Sequence, residues 1–148
     1  MSAIGEHALA NQPRLPKRTA TMSPSETPSP SENPTAQSLA RSNCVPCEGG
    51  VPKLTADQAA AFGRATPDWT IDENANQIRR KLNCKTFTAA VRRINQITEI
   101  AEDQQHHPDF HLTGYRHLEI ILTTHAIGGL SENDFILAAQ IDRLLEPS

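Results

Sequence analysis

From Phe87 through Val91, Ile94 and Ile97 to Ala101, apolar residues recur three and four positions apart. That spacing predicts one long amphipathic helix running to about residue 105. Pro108 stops it and denies His107 the helical conformation. The pattern then changes period. "FHLTGY" and "HLEIILTTH" read as strands, the second with Leu118, Ile120 and Leu122 on one face and Glu119, Ile121, Thr123 and His125 on the other. Upstream, "WTID" and "IRRKLNC" read as two more strands around the turn-forming "ENAN". An earlier helix covers "ADQAAAFGRA", opened by the capping pair Thr55 and Gln58 and ended by Pro67. A last helix, capped by Ser131, carries Leu137, Ile141 and Leu144. The order α-β-β-α-β-β-α joins neighbouring strands as hairpins. The expected fold is therefore α+β: a four-stranded antiparallel sheet with three helices on one face.

Composition divides the chain. Of its 148 residues, 37% are hydrophobic and only 4% aromatic, and residues 1–43 contain no Phe, Trp or Tyr while holding six of the eleven prolines. "TMSPSETPSPSENPTAQS" has too little apolar surface to offset the entropy of ordering, so residues 1–43 are expected to be a disordered tail. An organelle transit segment fits poorly with Glu6, Glu26 and Glu32, and Met22 would serve as a start as well as Met1. Residues 44–148 are then one domain, large enough to bury a single core.

The net charge of −3 argues against a nucleic-acid footprint. The short basic run Arg79-Arg80-Lys81 alternates within a strand and reads as a solvated edge. Nothing is apolar for long enough to span a membrane, there is no secretory core at the N-terminus, and three cysteines make no disulfide framework. A cytoplasmic protein is the expectation.

Candidate chemistry gathers late in the chain, where four of the six histidines (His106, His107, His111 and His117) fall within twelve positions. Glu102 and His106 stand four apart near a helix end, where a carboxylate and the helix dipole both favour a charged ring. An exposed capping pair would have the same spacing. His106 and His107 should diverge, so one metal cannot readily take both rings, although His125 could converge with one of them. Imidazoles near neutrality suit acid/base work equally well. Asp134, three residues after Ser131, fits a helix-start carboxylate but also lies close enough in sequence to reach the site from its helix. Cys44-x-x-Cys47 could be redox-active, half a zinc site, or without function; no βαβ context accompanies it. His111, His117 and His7 read as surface residues.

Taken together, "EDQQHHPDF", Tyr115, "LTTH" and "GGLSENDFILAAQID" resemble the pterin-4a-carbinolamine dehydratase family. The likeness covers about residues 44–145, and "CVPCEGGVPKLT" also looks like the segment before the first helix of bacterial and plant members. Residues 1–43 resemble nothing in the family. Phe110 stands where animal members have Trp, and the loop before Tyr115 is in its longer form. The resemblance implies the same α-β-β-α-β-β-α order and removal of water from 4a-hydroxytetrahydropterin, giving a quinonoid dihydropterin without a metal or other cofactor. It implies His106 and His125 as the acid/base pair, His107 as binding and positioning the pterin, and Glu102 and Asp134 as orienting rings or substrate. It also implies a homo-oligomer, and no catalytic role for Cys44 or Cys47. Relatives of this fold act instead as a dimerisation cofactor or as Rubisco-assembly chaperones; a non-catalytic binding module is thus the main alternative, and a mononuclear metal hydrolase a third. The chaperones have degenerate histidine motifs, whereas His106, His107, His125 and Asp134 are all present here.

Overall fold

The computed structural model describes residues 33–147. Among them the chain forms helices α1 (Ala36–Arg41), α2 (Ala56–Ala65), α3 (Phe87–Gln104) and α4 (Glu132–Leu145) and strands β1 (Thr70–Ile71), β2 (Ile78–Asn83), β3 (Asp109–Thr113) and β4 (His117–Leu122). The strands make one antiparallel sheet in the order β1-β2-β4-β3. The expected α+β class and the α-β-β-α-β-β-α order are thus present, with a fourth helix added at the start.

Alternation sets the layers. Ile78, Leu118, Ile120 and Leu122 are buried on the face toward the helices, and their registered neighbours Phe110 and Leu112 pack on the same side. The opposite face carries Arg79, Lys81 and Glu119. Against the inner face lies α4, whose Asn133–Ala139 and Ile141 are all buried, because α1, α2 and α3 each pack on it. Phe62 of α2 stacks on Phe135 of α4 with centroids 5.2 Å apart. Both predicted capping pairs are formed, Thr55 with Gln58 and Ser131 with Asp134.

Four expectations need correction. The boundary after residue 43 falls too late: α1, capped by Thr35, inserts the buried Leu39 against α4, so ordered structure begins within the expected tail. Residues 1–32 of that tail lie outside the described residues. The basic run is not simply a solvated edge: β1 flanks β2 at Ile78 and Arg79, leaving of the run only Arg80 and Lys81 without a β1 partner, and of these Lys81 is exposed. Its Arg80 points inward and binds Asp142, which also accepts Trp69 Nε1–H at 2.7 Å, and pairs with Asp68 at 3.0 Å. β4 ends at Leu122, so His125 opens a separate 3-10 turn, His125–Ile127, instead of finishing a strand. Finally, the apolar stripe of α3 is buried only along Ala90, Ile97 and Ala101; Phe87 and Val91 face outward. Among the described residues no helix is long and apolar enough to cross a membrane.

Candidate active site

The end of α3 separates the two adjacent histidines. Gln105 turns into the left-handed region at φ 52°, and the N–H of His106 closes the cap on Ala101 O at 3.1 Å. This reversal sends His106 inward, where only 5% of it is exposed, and leaves His107 outside. The rings diverge as expected, but their carboxylates are not those expected. His106 Nε2 lies 2.6 Å from Asp134 Oδ1, and it is His107 Nε2 that meets Glu102 Oε1, at 3.0 Å. The i, i+4 pairing of Glu102 with His106 fails because the helix ends before His106. Glu102 and His107 are both more than half exposed.

Asp134 is fully buried and fully engaged. Its Oδ1 accepts from His106, while Oδ2 accepts from Thr124 Oγ1 at 2.8 Å and from the Ser131 N–H at 2.9 Å. Thr124 and Ser131 also share a hydroxyl hydrogen bond of 2.7 Å. Three donors converging on one buried carboxylate leave neither of its oxygens without a partner. With Nε2–H donated to that carboxylate, the neutral His106 ring has its lone pair at Nδ1. Asp134 therefore serves both readings weighed from the sequence: it starts α4 and holds His106.

His125 follows Thr124 directly, and it is exposed at the head of its turn, which Gly128 closes at φ 62°. The loop that delivers Thr124 to the carboxylate thus also delivers His125 to the surface beside it. His111 and His117 are exposed, as expected. Among the described residues, no group of three or more His, Cys, Asp or Glu side chains has the geometry to hold a metal ion.

A fourth segment completes the surroundings, and it was not foreseen. Residues 44–47 form a strap pinned to both helix ends: Cys44 N–H donates to Gln104 Oε1 of α3 at 2.8 Å, and Asn133 of α4 exchanges two hydrogen bonds with the Val45 backbone. Cys47 Sγ accepts from Asn133 Nδ2 at 3.5 Å and stands 3.9 Å from His106 Nδ1. Burial, then the negative charge of Asp134 and the neighbouring Cys47, push the Cys44 thiol up to about 12. Neither Thr124 nor Asn133 could be singled out from sequence, since neither sits in a periodic pattern; the Cys-x-x-Cys spacing was visible but not its location.

The arrangement can move protons. A buried carboxylate fixes one imidazole, with its second nitrogen toward the strap, and two exposed imidazoles stand on adjoining elements, one paired with a carboxylate.

Comparison with known proteins identifies the family. The family model described as pterin 4 alpha carbinolamine dehydratase matches residues 52–144, a range that holds the five candidate residues Glu102, His106, His107, His125 and Asp134 and omits the strap. A Halorhodospira halophila protein, provisionally named a pterin-4-alpha-carbinolamine dehydratase, is 44% identical over 107 residues, covering 72% of this chain and 97% of that protein. The Arabidopsis thaliana protein named pterin-4-alpha-carbinolamine dehydratase 2, mitochondrial, is 38% identical over 109 residues, 72% of this chain and 58% of its own. Among solved structures, a Brucella melitensis protein titled transcriptional coactivator/pterin dehydratase aligns with a TM-score of 0.59 and 25% identity, over 64% of this chain and all of that one. This chain belongs to the pterin 4 alpha carbinolamine dehydratase family.

Proposed function

We propose that the protein is a hydro-lyase that removes water from a 4a-hydroxytetrahydropterin and releases a quinonoid dihydropterin. The observation that carries this reading is the buried His106–Asp134 pair, flanked by the exposed His107 and His125. The reaction breaks the C4a–O bond and the N5–H bond and forms a C4a=N5 double bond. The leaving hydroxyl needs a proton, and the N5 proton needs an acceptor. His106 and His125 exchange these two protons in the proposal. Because Nε2 of His106 is committed to Asp134, its exchange falls to Nδ1. His107, steadied by Glu102, positions the pterin.

The test is stopped-flow decay of the 4a-carbinolamine with and without protein. Acceleration is expected, with His106→Ala and His125→Ala each lowering the catalysed rate by roughly 10²–10⁴. A wild-type protein that leaves the spontaneous rate unchanged would return the chain to the binding-module reading. The coactivator role named for the Brucella protein is that protein's own. Here, the feature that suits a protein partner is the exposed Phe87 and Val91 on α3, and a second copy of the chain is the proposed occupant.

A further inference from the structure

Cys44 and Cys47 lie upstream of the range matched to the family, yet the fold places Cys47 against His106. Both thiols are free and partly exposed. Both bear on one residue: Cys44 Sγ donates to Asn133 O at 3.6 Å, and Asn133 Nδ2 donates to Cys47 Sγ at 3.5 Å. Only Val45 and Pro46 separate them, the Cys-x-x-Cys spacing that dithiol redox chemistry uses. In line behind Cys47 stand His106 Nδ1 at 3.9 Å and, across the ring, Asp134 at 2.6 Å. A sulfur, an imidazole and a buried carboxylate in series are the arrangement that withdraws a thiol proton.

We propose that Cys44 and Cys47 are a thiol-oxidation site in which Cys47 reacts first with a peroxide and Cys44 then closes an intramolecular disulfide, altering the environment of His106. In the first step His106 Nδ1 takes the Cys47 proton and the thiolate sulfur attacks one peroxide oxygen. The O–O bond breaks, and the departing hydroxide recovers the proton from His106 as water, leaving a sulfenic acid on Cys47. In the second step Cys44 Sγ attacks that sulfur, the S–O bond breaks, and hydroxide leaves with the Cys44 proton as a second water. Two thiols lose two electrons and two protons, and hydrogen peroxide is reduced to two waters. The order follows from the surroundings. Burial, and after it the negative charge of Asp134, hold Cys44 as a thiol, whereas Cys47 is the thiol that faces His106 Nδ1. A disulfide sulfur has no proton to give and cannot take one, so the Nδ1 side of His106 loses its exchangeable neighbour.

Only the consequence for turnover rests on the dehydratase reading; the thiol chemistry does not. The full-length reduced protein is treated with hydrogen peroxide and followed by peptide mass, by the ring-nitrogen resonances of His106, and by carbinolamine decay. Expected are loss of two hydrogen masses across Cys44–Cys47, reversed by dithiothreitol, and displaced His106 resonances in the oxidised protein. Dehydration by that protein should slow several-fold and recover on reduction. In Cys44→Ser, Cys47 should stop at a sulfenic acid that dimedone traps. Oxidation of Cys84 ahead of the pair, or a Cys44–Cys47 peptide that stays reduced, would overturn the site. Unmoved His106 resonances in the disulfide form would overturn its coupling to His106. Absence of dehydration by the reduced protein bears on the function proposed above and leaves the mass and resonance outcomes to decide this one.

Discussion

Asp134 holds His106 with one carboxylate oxygen and the start of its own helix with the other: Oδ1 is 2.6 Å from His106 Nε2, and Oδ2 accepts the Ser131 N–H at 2.9 Å. One side chain therefore fixes a ring at the end of α3 to the first turn of α4. Asp134→Asn should affect both. The amide keeps the volume but removes the charge and places a donor where donors already point. A stability loss of about 1–3 kcal/mol is expected from the buried donors left unpaired, with a dehydration rate lower by roughly 10–100-fold from the loosened ring. Denaturant unfolding and stopped-flow kinetics on the same preparation check the two together. Loss of stability alone would make Asp134 a helix cap without a part in the chemistry.

Glu102 calls for a different expectation, because its partner is the exposed His107. Glu102→Gln should change stability by only a few tenths of a kcal/mol, as solvent screens such pairs. If His107 positions the pterin, the variant raises KM and leaves kcat close to wild type. A fall in kcat at unchanged KM would place the carboxylate on the proton-transfer path instead.

Removing α1 tests where the folded unit begins. Leu39 is 2% exposed and packs on α4 through a helix of only six residues. Leu39→Ala should cost about 2–3 kcal/mol, the lower part of the range for buried leucines. Deletion through Ser42 should lower the melting temperature by at least as much, while deletion through Pro34 spares the helix. Equal melting of the two truncated forms would show that α1 contributes nothing to stability.

Glu132 gives a pH dependence with a definite sign. Burial in the first turn of α4 raises its pKa above the ordinary carboxylate value. The folded state therefore holds the proton more tightly than the unfolded chain. The stability this group contributes is fully present below the ordinary carboxylate value and is lost as pH rises through the raised folded one. Glu132→Gln should thus melt higher than wild type at pH 7, with the gain vanishing near pH 3. Thermal melts across that interval measure it; a variant less stable than wild type at pH 7 would mean that the helix N-terminus favours the anion more than burial penalises it.

Phe87 and Val91 are 57% and 37% exposed on one side of α3, and the outer strands β1 and β3 leave backbone groups open at the sheet edges. A homo-oligomer is expected, with Phe87→Asp and Val91→Asp shifting it toward a smaller species in light scattering. A single ~16 kDa species for wild type at micromolar concentration would refute it.

Much of this was legible in the chain because it is local. Alternation through Leu118, Ile120 and Leu122, the capping pairs at Thr55 and Ser131, and the stop at Pro108 each need only neighbouring residues. What the chain concealed depends on distant ones. The i, i+4 rule paired Glu102 with His106 on the assumption of a continuing helix, and the left-handed turn at Gln105 cancelled it. Periodicity marked Phe87 and Val91 as apolar without saying what covers them. The central place of β2 is a matter of long-range pairing, which no window around Arg79-Arg80-Lys81 contains. Helix α1 has one buried apolar residue, too few to make a periodic signal within a Ser/Pro-rich stretch. Cys47 meets His106 across 59 positions, a separation at which spacing carries no information.

The double duty of Asp134 has a consequence for how such chains diverge. A relative without dehydratase activity would be free to lack the exposed His107 and His125, and could replace His106 at the cost of one buried contact. It would still be selected to keep the carboxylate, because Thr124 and Ser131 would otherwise be left with unsatisfied donors at the start of the most buried helix. An aspartate at this place is therefore expected to persist with the architecture whether or not a relative is catalytic. Among relatives of this chain, the three imidazoles are the residues whose presence should separate enzymes from scaffolds.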